Sequence, residues 1–407
     1  MEGSYSLAIT TNGPGEFGGW VRPLLNALYA RTPAANIHIF FVPDDYATGK
    51  ESDVARATFP QAHVHPPKVS MRAAFGRAAG LPEHFDAVQY LGGDLMHAAR
   101  LAKRFSAKAF TYKFSRPRYR ETFERAFAVD MANVEQLITW RTHRDRIVLA
   151  GNLAIDGALV ESAAPVQPGA PDGGILIMPG SRRHEVEQLI PFFFTMALRM
   201  HRERPDIPVA FGISPFTSLE DVGRAVVAGG DARMFATTGG LLIEDDATYL
   251  FDAAGTARFP VVRNALSAAK AARLIVTIPG TKTIEVAALG KPMLAITPLN
   301  APELITINGP LTYLDRLPLF GATLKRNAVL AASRRFKYFA QPNIDAGRCL
   351  VAELRGTLTP GHVARIALER FDDDAWLEQS GGALAHLHAE HIGAAQRMAA
   401  GIEEAIA

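Results

Sequence analysis

Two stretches of the chain join a glycine turn to hydroxyls, cations and a carboxylate at the spacing that anion binding uses. In the first, an apolar run over residues 175–178 passes through Pro179-Gly180 into Ser181, Arg182, Arg183 and Glu185. A strand that turns through glycine into a helix points several backbone N–H groups at one spot, with the helix dipole behind them. Ser181 is the expected N-cap and Glu185 falls in the first turn. Two guanidinium groups there suit a diphosphate. An ordinary strand-to-helix turn with a solvent-facing arginine pair fits the same residues. The second stretch is Pro279-Gly280-Thr281-Lys282-Thr283-Ile284-Glu285. Thr281 and Thr283 offer hydroxyls and amides to a phosphate. The Glu285 carboxylate can accept a pair of hydroxyls such as those of a ribose. A capping pair, Thr281 with Glu285, is the alternative. Asp94 follows an apolar run and Gly92-Gly93, the position of a general base at a strand's carboxyl end or of a cap on a helix beginning near Leu95.

Other residues carry less. Residues 13–19, GPGEFGG, hold more glycine than a turn needs and let a backbone or ligand come close. They match neither the dinucleotide fingerprint nor the P-loop pattern. His386, His388, Glu390 and His391 suggest a metal, but on a helix only His386 and Glu390 share a side, so no metal is expected. Cys349 is the single cysteine, which precludes an intrachain disulfide and fits a reducing compartment. It has no activating neighbour in sequence.

These residues need a scaffold, and the chain is long enough to build one. Its 407 residues suffice for two or three domains, with 48% hydrophobic and 21% charged residues as in ordinary globular proteins. No leader pattern opens the sequence and no run approaches a membrane span, so a cytoplasmic protein is expected. The net charge of +2 is unevenly spread: residues 100–146 hold twelve Lys/Arg against five Asp/Glu. Such a zone suits either an anionic membrane face or a solvated surface. No nucleic-acid partner is expected of it.

Apolar periodicity predicts strands over residues 6–11, 36–42, 85–90, 109–114, 126–129 and 146–150, with helices over 20–29 and 96–105. Residues 161–174, rich in Ala, Pro and Gly, read as a linker. The alternation then restarts, with strands over 174–178, 209–213, 259–263, 274–278 and 293–297 and helices over 185–204, 219–228 and 283–289. Residues 360–407 read as helical. The expectation is an α/β protein of two doubly wound parallel-sheet domains, 1–160 and 174–358, facing across a cleft. A helical tail, 359–407, would pack back on the first domain. Ligands in such sheets bind outside the carboxyl ends of the strands.

In this order the motifs resemble lipid-A-disaccharide synthases, inverting glycosyltransferases of the two-Rossmann-domain GT-B type. The family's G-E-x-S-G-D looks like Gly15-Glu16-Phe17-Gly18-Gly19-Trp20, and its Gly-x-Asp looks like Gly92-Gly93-Asp94. Its L-P-G-S-R-x-x-E looks like the stretch from Met178 to Glu185. Its S-G-T-x-T-L-E with G-x-P-M looks like Pro279 to Glu285 with Gly290-Lys291-Pro292-Met293. Its P-N-x-x-A-G-R-x-x-x-P-E looks like Pro342-Asn343-Ile344-Asp345-Ala346-Gly347-Arg348, ending at Ala352-Glu353. The departures lie on the acceptor side: Gly18 and Trp20 replace the family's Ser and Asp, and His97 replaces its second Asp. The family's G-H-P is Gly151-Asn152-Leu153, and residues 300–325 have no counterpart.

The resemblance implies transfer of a hexosamine-type sugar from a UDP-sugar to a lipid or lipid-linked sugar acceptor in lipid A biosynthesis. The UDP-sugar is a substrate and no cofactor is needed. Asp94 would be the base, with Gly180, Ser181, Arg182, Glu185, Gly280, Thr281, Thr283, Glu285, Asn343 and Arg348 holding the nucleotide diphosphate. Gly15, Glu16, Gly18 and Gly19 would face the acceptor. The basic zone would hold the protein at the inner face of the plasma membrane. Two alternatives use the same fold: a UDP-N-acetylglucosamine 2-epimerase-like enzyme, and a non-catalytic UDP-sugar or lipid-binding protein.

Overall fold

Leu7, Ala8 and Ile9 of the first strand are fully buried, as a parallel strand covered on both faces requires. The computed structural model describes residues 5–44, 49–76, 80–302, 326, 331 and 335–407. Most of the segment 300–325, without counterpart in the resemblance, lies outside them, as do residues 1–4. The chain forms two units, Met1–Val160 with Ala389–Ala407, and Glu161–His388.

The first unit is built on β1 (Ser6–Thr11), β2 (Asn36–Phe41), β3 (His63–His65), β4 (Ala87–Tyr90), β5 (Lys108–Tyr112), β6 (Arg125–Ala128) and β7 (Ile147–Leu149). They form one parallel sheet in the order β3-β2-β1-β4-β5-β6-β7. The chain winds outward from β1 in one direction and from β4 in the other. The sheet therefore changes winding direction between these two strands, where Thr10 pairs with Tyr90.

The second unit carries β8 (Ile175–Met178), β9 (Val209–Gly212), β10 (Gly239–Glu244), β11 (Ala247–Asp252), β12 (Arg258–Val262), β13 (Leu274–Thr277), β14 (Met293–Pro298) and β15 (Ala352–Gly356). Their order is β10-β11-β12-β9-β8-β13-β14-β15. Among the described residues only the β10–β11 hairpin and its junction with β12 are antiparallel. The change of direction falls between β8 and β13, where Met178 pairs with Thr277. The helix Arg183–Glu203 covers this sheet with Phe192, Phe193 and Phe194, each fully buried and each contributing ~1.5–3 kcal/mol of burial. These are two Rossmann-like parallel α/β units of GT-B-like architecture with a helical C-terminal tail.

Residues after the helix Leu153–Ser162 are pinned to the second unit. The Gln167 side-chain oxygen accepts from the Arg263 and Asn264 amides at 2.7 and 3.0 Å. The tail divides: helices Pro360–Phe371 and Asp374–Leu387 belong to the second unit, and Ala394–Ile406 to the first. In the first unit Asp156 accepts from the amides of Gly393 and Ala395 at 2.8 and 2.6 Å, and Arg31 pairs with Glu403 at 2.6 Å.

The glycine run at 13–19 is helical rather than a loop. A helical turn, Pro14–Glu16, leads into a π-helical turn, Phe17–Val21, and then the helix Arg22–Arg31. Its glycines admit another helix: a Cβ on Gly157 would stand 3.2 Å from the Gly18 carbonyl. Among the described residues no helix is long and apolar enough to cross a membrane.

Candidate functional site

The residues singled out by chemistry gather at the two places where the sheets change winding direction. Carboxyl-end crevices at such points are where open α/β sheets bind ligands.

In the second unit both glycine turns leave adjacent central strands. After β8 the Glu185 carboxylate folds back, and its Oε2 accepts from the amides of Ser181 and Arg182 at 2.8 and 2.9 Å. Its Oε1 lies 3.5 Å from the Arg182 guanidinium. The expected N-cap at Ser181 is corrected: the cap position is Arg182, because the buried Glu185 satisfies the amides that a serine hydroxyl would otherwise take. Gly180 has φ +101°, and a Cβ there would meet both Glu185 Oε2 and Ile278 Cδ1.

After β13, Gly280 caps the helix Thr281–Ala288 with φ +149°. The two threonines differ. The Thr283 hydroxyl is buried and donates to the Gly280 carbonyl at 2.7 Å, so it shapes the turn. Thr281 is exposed. Glu285 is buried and ion-paired with Lys282.

The helix Gln341–Ala346 packs on Thr281–Ala288, which brings the third motif block beside the second. Asn343 is fully buried and spends its amide on structure. Its Nδ2 donates to Val351 O and Glu353 Oε1 at 2.8 and 2.7 Å. Its Oδ1 accepts from the amides of Leu350 and Val351 at 2.6 and 2.8 Å. Arg348 lies exposed at the end of the same loop. Cys349 directs its thiol to Val351 O at 3.2 Å. Partial burial, then the charge of Glu353, pushes the thiol pKa up, against a nucleophilic role.

In the first unit the turns after β1 and β4 meet. Gly92 and Gly93 have φ +135° and +80°. A Cβ on Gly92 would stand 2.3 Å from Asn12 Oδ1, and one on Gly93 2.1 Å from Val42 Cγ2, so Gly92 admits the turn after β1 and Gly93 the end of β2. Asp94 caps the helix Leu95–Phe105, its Oδ1 accepting from the Met96 amide at 2.8 Å. The same oxygen lies 3.7 Å from the Arg118 guanidinium, and the side chain is 44% exposed. The Tyr90 hydroxyl donates to Gly93 O at 2.8 Å. Burial, then the negative charges of Glu16 and Asp94, pushes its pKa well above the usual phenol range. Glu16 and Asp94 thus share the surroundings of one phenol. Gly15 is exposed, Gly18 half-buried and Gly19 buried. Trp20 packs its ring on Tyr112 at 5.5 Å and faces Phe114 at 6.4 Å, so it belongs to an aromatic cluster.

The basic zone is spread over several elements and partly spent on backbone. Arg104 donates to Ala73 O at 2.6 Å, Arg125 to Gly401 O at 2.7 Å, and Lys108 to Ala405 O at 2.6 Å. Among the described residues no group of three or more His, Cys, Asp or Glu side chains is placed to hold a metal ion. The sequence alone assigned no role to Lys282, Glu353 or Arg263. The last donates to Thr217 O and Pro215 O at 2.8 and 3.0 Å and fixes the loop after β9. Lys282 and Glu353 were legible, since each lies inside a motif block.

No family model matches the sequence, and no curated protein matches it. Solved structures share its fold along nearly the whole chain. S. aureus MnaA in complex with UDP is 14% identical, covering 98% of this chain and 96% of that one at a TM-score of 0.59. UDP-GlcNAc 2-epimerase from Neisseria meningitidis, bound to UDP-GlcNAc, is 11% identical over 98% and 99% at 0.57. A further UDP-N-acetylglucosamine 2-epimerase is 14% identical over 96% and 95% at 0.52.

These likenesses overturn the assignment to lipid-A-disaccharide synthases, and with it hexosamine transfer to a lipid acceptor. The physical reason lies in what the motif blocks do. Gly180, Glu185, Gly280, Thr283 and Asn343 build backbone turns, and turns of this kind serve a GT-B scaffold whatever its reaction. The positions that would mark an acceptor site are Gly18, beneath Gly157, and Trp20, inside an aromatic cluster.

Proposed function

We propose that the protein is an enzyme that acts on a UDP-sugar itself, with UDP-N-acetylglucosamine 2-epimerase-like chemistry. The observation that carries the UDP-sugar part of this reading is the placement of two glycine turns, with Arg182 and Lys282 beside them, on adjacent strands at the winding change of the second sheet. The likeness in fold to a UDP complex and to a UDP-GlcNAc complex supports it.

In this reading Arg182, Thr281 and Arg348 contact the diphosphate, and Glu285 takes the ribose hydroxyls. Gly180, Ser181, Glu185, Gly280, Thr283 and Asn343 hold the backbone in shape. Inverting the carbon next to the anomeric centre needs a base to remove its proton as the C1–O bond to UDP breaks and a C1–C2 double bond forms, and then an acid to return a proton to the opposite face of C2 as UDP re-adds at C1. Charge on the diphosphate needs fixed donors throughout. Asp94 and Glu16 are the carboxylates assigned to the proton transfers.

The test is to incubate the purified protein with UDP-N-acetylglucosamine alone in D2O and follow the sugar by proton NMR and mass spectrometry. Expected are signals of the 2-epimer and a gain of one deuterium at C2. Binding of UDP without exchange would leave a non-catalytic UDP-sugar-binding protein. Absence of both binding and exchange overturns the reading.

A further inference from the structure

The two turns of the second unit repeat one another. Pro179-Gly180-Ser181-Arg182 with Glu185-Val186 and Leu189 recurs one hundred residues later as Pro279-Gly280-Thr281-Lys282 with Glu285-Val286 and Leu289. Five positions are identical, and the hydroxyl and the cation are replaced in kind. The structure repeats as well. In each copy the carboxylate is buried and pairs with the cation three residues before it. The cations stay half-exposed, with side chains 47% and 37% accessible for Arg182 and Lys282. The copies leave neighbouring parallel strands, which lie ~4.8 Å apart, and the Thr277 hydroxyl donates to Met178 O at 3.0 Å just before them.

We propose that Lys282 is the second cation of a diphosphate clamp whose first is Arg182. This rests on the UDP-sugar reading and adds to it a residue that the motif pattern leaves open, since S-G-T-x-T-L-E specifies nothing at that place. A guanidinium has five N–H donors and an ammonium three, more than one carboxylate can use. Each can therefore hold its glutamate and still reach a phosphate oxygen. Two cations on adjacent strand ends match a ligand with two linked phosphates better than one with a single phosphate. Glu185 then acts as a positioning residue that aims Arg182, and Glu285 holds Lys282 beside the ribose hydroxyls that it takes.

The test is calorimetric titration of inorganic pyrophosphate, inorganic phosphate, UDP and ADP into wild type, Lys282→Met and Lys282→Arg, with melting curves to establish folding. Expected is about a tenfold loss of pyrophosphate and UDP affinity in Lys282→Met. Phosphate binding should change little, and Lys282→Arg should recover most of the loss. Equal pyrophosphate affinity in wild type and folded Lys282→Met overturns the clamp. Should Lys282→Met not fold, a Lys282→Arg variant that loses the preference for pyrophosphate over phosphate also overturns it. The UDP reading fails separately, when pyrophosphate binds in a Lys282-dependent way but UDP binds no better than ADP.

Discussion

The carboxylate of Glu185 lies so close to Gly180 that a Cβ on the glycine would stand 2.3 Å from its Oε2. The turn after β8 is thus closed from within, by a side chain occupying the space that any other residue would need. Gly180→Ala would have to expel Glu185 from the Ser181 and Arg182 amides and also strain a backbone at φ +101°. The expected cost is ~2–4 kcal/mol, read as a lowered urea midpoint with an unchanged m-value. UDP affinity should fall with it.

Asn343 makes four hydrogen bonds from a fully buried amide. Asn343→Ala should cost ~2–4 kcal/mol, because it strands buried amides and carbonyls without partners. The measurement is chemical denaturation. A loss below ~0.5 kcal/mol, within the range of a neutral surface change, would contradict its place as a structural clip.

Asp94 has two separable duties, and two substitutions separate them. Asparagine caps helices about as well as aspartate. Asp94→Asn should therefore melt like wild type while C2 proton exchange falls by ~100-fold or more. Asp94→Ala should lose that activity and also ~1 kcal/mol of stability. Retained exchange in Asp94→Asn would remove Asp94 from the proton-transfer role.

A histidine cluster at the edge of the first sheet should make the protein acid-sensitive. His38 Nδ1 and His65 Nε2 lie 2.9 Å apart, and the His63 ring lies tilted 4.4 Å from that of His38. Burial, then the neighbouring imidazoles, lowers the pKa of His38 to about 3. Burial, then His63 and Arg56, lowers that of His65 to about 4. The unfolded chain protonates near the ordinary value of 6.5, so above that pH neither state gains a proton and stability is unaffected. As pH falls from there toward 4, the unfolded state binds protons that the folded state refuses. Stability then drops by up to ~1.4 kcal/mol per pH unit for each such histidine. Urea midpoints at pH 8, 6.5, 5 and 4 check this, and the slope should flatten in His38→Gln with His65→Gln.

The central strands were readable because their physics is local. Continuous apolar runs such as 175–178 and 274–277 can only be strands or buried helices, and the glycine turns that follow mark where they end. Of the edges, β7 was readable as the run 146–150, but β3 and the β10–β11 hairpin were not. β3 is three residues, His-Val-His, and the β10–β11 hairpin opens on Gly239-Gly240, so neither shows the alternation that marks a strand. Within the site, residue types suggested anion chemistry. Their partners depended on tertiary packing: whether Glu185 reaches back, whether Thr283 points inward, whether Asn343 meets Glu353. Motif order then misled, because it registers the turns of the scaffold and says little about the reaction run on it.

The return of Ala394–Ile406 to the first unit bears on how the molecule is made. A ribosome synthesises β1 to β7 first, yet the partners of Arg31, Arg125 and Asp156 emerge only in the last stretch described, after the whole of Glu161–His388. The later-made unit can close while the earlier one still waits, its carboxylate at Asp156 without the amides of Gly393 and Ala395. During that interval the first half of the chain is the half exposed to chaperones and proteases.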